Sequence, residues 1–160
     1  MTTESNTVPA ANAPTEAFFN LEKVYTKDSS LEVPHAPKIF LEQEAPALET
    51  QINVEVNNFD KDMYEIAVSA TVTTKIKDKV MFLVEIKEAG IFQIRNIPQA
   101  ELEPVLNIHC ANIVFPYLRA NVADLISRAG FPVLHLPNIN FEAYYQARLQ
   151  QMAQGTATKQ

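Results

Sequence analysis

The chain has 160 residues, 13 basic against 19 acidic, a formal charge of −6, three glycines, ten prolines, one cysteine and no tryptophan. That length suits one domain able to bury roughly 68–70% of its unfolded surface without disulfide or metal staples. Isolated Gly90, Gly130 and Gly155 exclude Walker-type and GxGxxG phosphate loops, the lone Cys110 excludes a disulfide and a cysteine-rich zinc site, and the acidic surplus argues against nucleic-acid partners.

The start, MTTESNTVPAANAPTEA, has neither a basic n-region nor an apolar h-region, so no secretory signal is expected. Residues 1–16 hold too little bulky apolar surface to offset their ordering entropy and predict a disordered N-terminal tail. Residues 155–160 predict a similar C-terminal tail, leaving one domain over 17–154. No apolar run approaches the ~18 residues of a bilayer span, so no membrane insertion is expected.

Strands come first. Phe18 to about Lys27 predicts a strand whose alternation slips between Leu21 and Val24, the mark of a bulge. A long connection with prolines at 34, 37 and 46 follows, of a length more often functional than idle. Ile52, Val54 and Val56 alternate with polar residues, and the polar stretch Asn57–Asp62 predicts a turn. Tyr64, Ile66, Val68, Ala70 and Val72 mark the next strand. After a Lys77-Asp78-Lys79 turn, Val80, Phe82, Val84 and Ile86 mark another, giving an antiparallel meander.

Helices follow, so the fold class is α+β. Pro98 opens a short helix made irregular by Pro104. Asn112 is predicted to cap the next, with a buried stripe of Val114, Leu118, Val122, Leu125 and Ile126 that ends at Gly130 and Pro132. Asn140 is predicted to cap the last helix, striped by Phe141, Tyr144/Tyr145, Leu149 and Met152 and stopped by Gly155.

The third meander strand carries Met81, Leu83, Glu85 and Lys87 on the face opposite its core residues. Apolar anchors beside an acidic residue read either as ordinary surface scatter or as a docking surface, to which Asp28 and Glu32 add negative charge. Catalytic sets are not apparent. Adjacent His109 and Cys110 point roughly 100° apart on a helix and cannot serve one reacting atom; a buried small thiol beside a core or rim histidine is the plainer reading. The pairs Glu42/Glu44 and Asp60/Asp62 lie in polar loops, with nothing apolar near them to raise a carboxyl pKa. A helix as aromatic as the last one must cover the sheet and also face a subunit or an apolar ligand.

Five stretches, VYTKDSSLEVPHAPKIF (24–40), DMYEIAVSATVT (62–73), FLVEIKEAGIF (82–92), ANIVFPYLRANVADLISRAGFP (111–132) and NFEAYYQARLQQ (140–151), resemble SecB, the family of bacterial protein-export chaperones. The likeness spans about residues 17–152. It implies a four-stranded antiparallel sheet with two main helices on one face, assembled as a homotetramer, a dimer of dimers. It implies a cytoplasmic holdase, not an enzyme, that needs no cofactor or metal and delivers unfolded precursor proteins to the motor SecA.

By the same resemblance, SecA docks on the outer sheet face at positions matching Asp28, Glu32, Leu83 and Glu85. The client groove matches Leu48, Ile52 and Leu149, to which the pattern adds Phe40 and Tyr145. The family's groove tryptophan falls at Glu44 here and a further apolar groove position at Thr50. Two other readings stay open. One is a SecB-like chaperone dedicated to a single client, such as the antitoxin of a toxin–antitoxin pair. The other is a ligand-binding or hydrolytic α+β protein with His109, Cys110 or His135 at a pocket mouth.

Overall fold

The computed structural model describes residues 16–157, so all but the last residue of the predicted 1–16 tail and residues 158–160 of the predicted 155–160 tail lie outside the described residues, while 155–157, expected in the tail, form the end of the last helix. Strands β1 (Phe18–Glu32), β2 (Ala47–Asp60), β3 (Met63–Ile76) and β4 (Lys79–Arg95) form one antiparallel sheet in the order β1-β4-β3-β2. The meander is therefore β2-β3-β4, and β1 returns to pair with β4. The slip expected near Leu21 is present between Leu21 and Lys23, with a second between Thr26 and Asp28. Each adds a residue to β1 and resets which of its side chains face the core.

The strands outrun their predicted lengths. Of the turn expected over Asn57–Asp62, residues 57–60 instead stay in β2 and pair with β3, because polar side chains suit an edge strand bathed in water. The turn itself narrows to Lys61-Asp62, with Asp62 at φ 59°, and the Asn58 side-chain amide donates across it to the Asp60 and Met63 carbonyls, 3.0 Å each. Lys77, at φ 56°, serves the β3–β4 turn.

Most even residues of β3 and β4 behave as their alternation dictates: Ile66, Val68, Ala70, Val72, Phe82, Val84 and Ile86 are all buried, Tyr64 is half-buried, and Val80, expected in the core, instead pairs with exposed Lys75. A fully buried side chain of this kind contributes about 1.5–3 kcal/mol of transfer free energy. Met81 departs from its predicted outer-face position. The register shifts between Thr74 and Lys75, so Val80 pairs opposite Lys75 while Met81 turns inward and packs on the core beside Phe82.

Helix α1 (Gln99–Pro104) runs without a break into a wide π turn (Val105–His109) and helix α2 (Cys110–Arg128). Pro104 offers no N–H to the ladder, and the Cys110 N–H reaches back five residues to the Val105 carbonyl. Asn112 therefore caps nothing and lies inside continuous helix. The α2 stripe is as predicted, with Val114, Leu118, Val122 and Ile126 fully buried against β3 and β4 and Leu125 partly so. Gly90 permits the close approach: a Cβ there would lie 2.7 Å from the Phe92 ring and 2.9 Å from Val114 Cγ2.

Gly130, at φ 89°, ends α2, its N–H donating to the Ser127 carbonyl. Asn140 caps helix α3 (Phe141–Ala157), its Oδ1 accepting the Ala143 N–H at 3.0 Å. Gly155 does not stop α3, which continues to Ala157. Phe141 anchors its first turn in the core, edge-on to Phe115 with centroids 5.5 Å apart, and the helix then grows steadily more exposed.

Candidate functional site

Two surfaces of the sheet carry the predicted site residues. On the outer face, register aligns Glu32, Leu83, Thr73 and Glu49 in one row across the strands. Ser30, Glu85, Thr71 and Gln51 form the next row, and Asp28, Lys87, Ser69 and Asn53 a third. Asp28, Glu32, Leu83 and Glu85 thus share one face on two neighbouring strands. Glu49 extends their first row from the far edge. Only the β2–β3 register reveals it, because nothing local in the β2 sequence ties it to Leu83.

The charges on this face are unevenly paired. Lys87 Nζ lies 3.2 Å from Glu55 Oε2. Towards the other end, the Tyr25 hydroxyl and the Lys27 ammonium, 2.7 Å away, both donate to Glu65. Tyr25 leaves from β1, and β4 with the small Ala89 lies between it and Glu65 on β3. The Lys27 hydrogen bond, then that of Tyr25, hold the Glu65 carboxyl below the usual carboxylate range. Burial, reinforced by the Glu65 carboxylate, pushes the Tyr25 phenol up to about 12. Among the described residues, no cation comes within ion-pair reach of Asp28, Glu32 or Glu85. One end of the face is neutralised from within and the other presents unpaired acid around Leu83.

The second surface follows edge strand β2. Its even residues, Leu48, Thr50, Ile52, Val54 and Val56, share the core face with Thr74, Val72, Ala70, Val68 and Ile66 of β3. Yet only Val54 is fully buried, while Leu48 is 48% and Val56 37% exposed. Helix α3 covers the centre: Arg148 Nη1 donates to the Val54 carbonyl at 2.6 Å, and the Tyr144 hydroxyl donates to Asn53 Oδ1 at 3.3 Å. Either side of that cover the row lies open.

Each open end forms a cavity. At the Leu48 end, an open cleft of about 320 Å³ is lined by Leu48, Thr74, Met81, Phe82, Phe131 and Leu134, among others. Phe40, from the connection after β1, stacks on Phe131 with centroids 5.0 Å apart, and Phe82 lies against the same ring at 5.0 Å. At the other end, about 240 Å³ is lined by Val56, Tyr145, Leu149 and Met152 together with the polar Glu103, Asn107 and Arg148. The predicted groove residues therefore divide, with Phe40 and Leu48 at one end, Tyr145 and Leu149 at the other, and half-buried Ile52 between. From Leu48 to Val56 the row is about 27 Å long at ~3.4 Å per residue.

Met81, Phe131 and Leu134 were missed as lining residues. The apolar Phe131, Val133, Leu134 and Leu136 after the end of α2 were the available signal. At the two departures from the family pattern, Glu44 is exposed and pairs with Lys77 at 3.1 Å, and Thr50 is an exposed member of the β2 row.

The candidate reactive groups do not converge. Cys110 is wholly buried, and burial pushes its thiol up to about 12. His109 is exposed and packs on the Phe19 ring at 5.2 Å, while His135 lies on a different segment beside Arg119. Among the described residues no group of three or more His, Cys, Asp or Glu is placed to hold a metal ion. None of their helices is long and apolar enough to cross a membrane. Glu88, buried on the helix side of β4, accepts from Asn121 Nδ2 at 2.7 Å and Thr26 Oγ1 at 3.0 Å. It ties α2 to β1.

A family model described as preprotein translocase subunit SecB matches residues 12–152. The protein-export protein SecB of Burkholderia multivorans is 53% identical over 142 residues, 89% of this chain and 89% of that protein. Its namesake in Burkholderia lata is 53% identical over 139 residues, 87% of each chain. Among solved structures, the SecB-like chaperone of Mycobacterium tuberculosis, in complex with a ChAD peptide from the HigA1 antitoxin, matches with a TM-score of 0.64. That likeness, at 16% identity over 76% of this chain and 90% of the other, concerns the fold. The sheet order, the helices on one face and the sequence identity agree: this chain belongs to the SecB family of preprotein translocase subunits.

Proposed function

We propose that this protein is a cytoplasmic export chaperone that holds precursor proteins unfolded along the β2–α3 groove and passes them to SecA docked on the outer sheet face. The observation that carries the reading is the β2 row, core-facing by register yet open at Leu48 and Val56 on either side of α3. An extended chain about as long as that row could place apolar side chains in both cavities. Such binding accepts many sequences, because it relies on apolar area more than on matched polar contacts. Phe40, Leu48, Ile52, Tyr145 and Leu149 are the groove contacts in this reading.

Asp28, Glu32, Leu83 and Glu85 form the SecA contact, with Glu49 extending it. Unpaired carboxylates around a half-buried leucine suit a basic partner segment with an apolar anchor, and such an interface weakens as salt rises. The working form is a homotetramer, a dimer of dimers; the exposed Tyr117 on α2 and the free edge of β1 offer the surfaces for it. The role is one of binding, with no catalytic step. The export names of the 53%-identical relatives favour it over service to a single antitoxin client.

The test is to dilute an unfolded precursor into buffer with and without this protein, then add SecA. Refolding should be delayed by the protein, and SecA should co-sediment with the complex at low salt. An undelayed refolding curve would overturn the reading.

A further inference from the structure

The unpaired carboxylates of the outer face have a cation close by that does not use them. Lys87 on β4 stands directly opposite Asp28 on β1, and two residues from Glu85 on its own strand and face. A lysine side chain spans either gap: directly opposed Cβ atoms lie about 4.5–5.5 Å apart, and residues two along a strand about 7 Å. The ammonium goes elsewhere. It crosses β3 to β2 and sits 3.3 Å and 3.2 Å from Oε1 and Oε2 of Glu55. Register leaves that path clear, because β3 sets only the small Ser69 and Ala67 between the two strands. What the ammonium leaves behind is an open hollow of about 190 Å³ that Asp28, Glu85, Ser69 and Thr71 line with Lys87 itself, among others. Lys27, next to Asp28 in the chain, is drawn off in the same way, to Glu65 on β3.

We infer that Glu55 is a positioning residue of the SecA contact: by holding Lys87 across the sheet, it keeps Asp28 and Glu85 free for basic side chains of the partner. The inference rests on the docking reading above and adds to it a residue that acts only through Lys87. Glu55 stands two strands from Glu85 and three from Asp28 in the sheet order. With Glu55 neutral, Lys87 has no other unpaired carboxylate so near as those two, since Glu65 already accepts from Tyr25 and Lys27. A basic partner would then have to displace an ammonium from the site it binds. Losing a carboxylate from an acidic face ordinarily removes one unit of charge; here it also delivers a cation to the docking site.

The test measures SecA binding to the full-length protein by calorimetry at low salt, in wild type, Glu55→Gln, Lys87→Gln and the double variant. Glu55 and Lys87 side chains are 52% and 31% exposed, so the fold should tolerate all three. Glu55→Gln should weaken binding about threefold to fivefold, the upper range for a partly exposed ion pair. Lys87→Gln alone should bind as wild type does, because its ammonium already stands off the site. Adding Glu55→Gln to Lys87→Gln should then cost nothing further. That dependence on Lys87 is what a plain loss of charge would not produce. An equal cost of Glu55→Gln in both backgrounds would mean that Glu55 meets the partner itself or acts through net charge, and would overturn the assignment. So would no cost in either background. Leu83→Ala with Glu85→Ala separates the two readings: if SecA affinity is unaltered there, the docking face falls and this inference with it. If that pair weakens binding while Glu55→Gln does not, the inference alone falls.

Discussion

The outer face of the sheet and the β2–α3 groove are built from the same strands but made in opposite ways. On the outer face, register does the positioning: side chains from β1, β4, β3 and β2 line up in rows on a rigid ladder, and the chemistry lies in which carboxylates stay unpaired. In the groove, incomplete packing does it: a core-facing row receives only part of a cover, and the chemistry lies in the apolar area left over. A surface that must recognise one partner benefits from fixed charges, whereas a surface that must accept many sequences benefits from unspecific apolar area.

If the two surfaces share only the α2-on-sheet frame, a wedge in that frame should damage both. Gly90→Ala pushes a methyl into the Phe92 ring and Val114, and overpacking of this kind costs about 1–3 kcal/mol. Thermal melts should show a clear fall in Tm, with SecA binding and client holding both weakened; an unchanged melt would mean that α2 has slack to move. The double change Leu83→Ala with Glu85→Ala should separate the surfaces. It should weaken SecA binding about tenfold or more, with the melt and the refolding delay preserved, because both residues face outward. Calorimetry that finds unaltered affinity would remove this face from the SecA contact.

Leu149→Glu is the converse. Leu149 is 38% exposed, so the fold should tolerate the carboxylate, but its desolvation under an apolar client should shorten the refolding delay several-fold. A delay equal to wild type would move the groove away from α3.

The smallest effect is expected at the neutralised end of the outer face. Glu65 is held below its ordinary pKa, so its contribution is fully present above the unfolded carboxylate value and is lost as pH falls through the lower folded value. Glu65→Gln should therefore flatten the acid limb of Tm against pH, modestly, since Lys27 is 46% exposed and screened. Superimposable acid limbs would show that the Tyr25–Glu65–Lys27 cluster adds no pH-dependent stability.

Legibility in the sequence followed the strength of the periodic signal. The even-numbered core of β3 and β4, the Val114–Ile126 stripe, the Leu21 slip and the Asn140 cap were all readable, because each is set by neighbours a few residues away. So was the outward parity of Leu83 and Glu85. Met81 was not, since a single extra residue opposite Lys75 inverts the facing of everything before it and leaves no trace in alternation. Asn112 misled for a related reason: a good cap residue is also tolerated inside a helix when the chain upstream is already wound. The apolar positions along β2 and α3 were legible one by one but not the division of the β2 row into a covered centre and two open ends, because which part of β2 is covered depends on where α3 comes to rest, and that is fixed by Phe141 and Arg148 rather than by β2.

The bond from Arg148 to the Val54 carbonyl has a consequence for the protein's own solubility. Edge strands with free carbonyls and amides are templates on which other extended chains stack, and a protein that gathers unfolded polypeptides is surrounded by such chains. With the Val54 carbonyl held at 2.6 Å by α3, the middle of β2 cannot add another strand along its whole length while the helix is docked. Along β2, at least, the protein offers aggregation-prone chains no uninterrupted edge from which a fibre could grow.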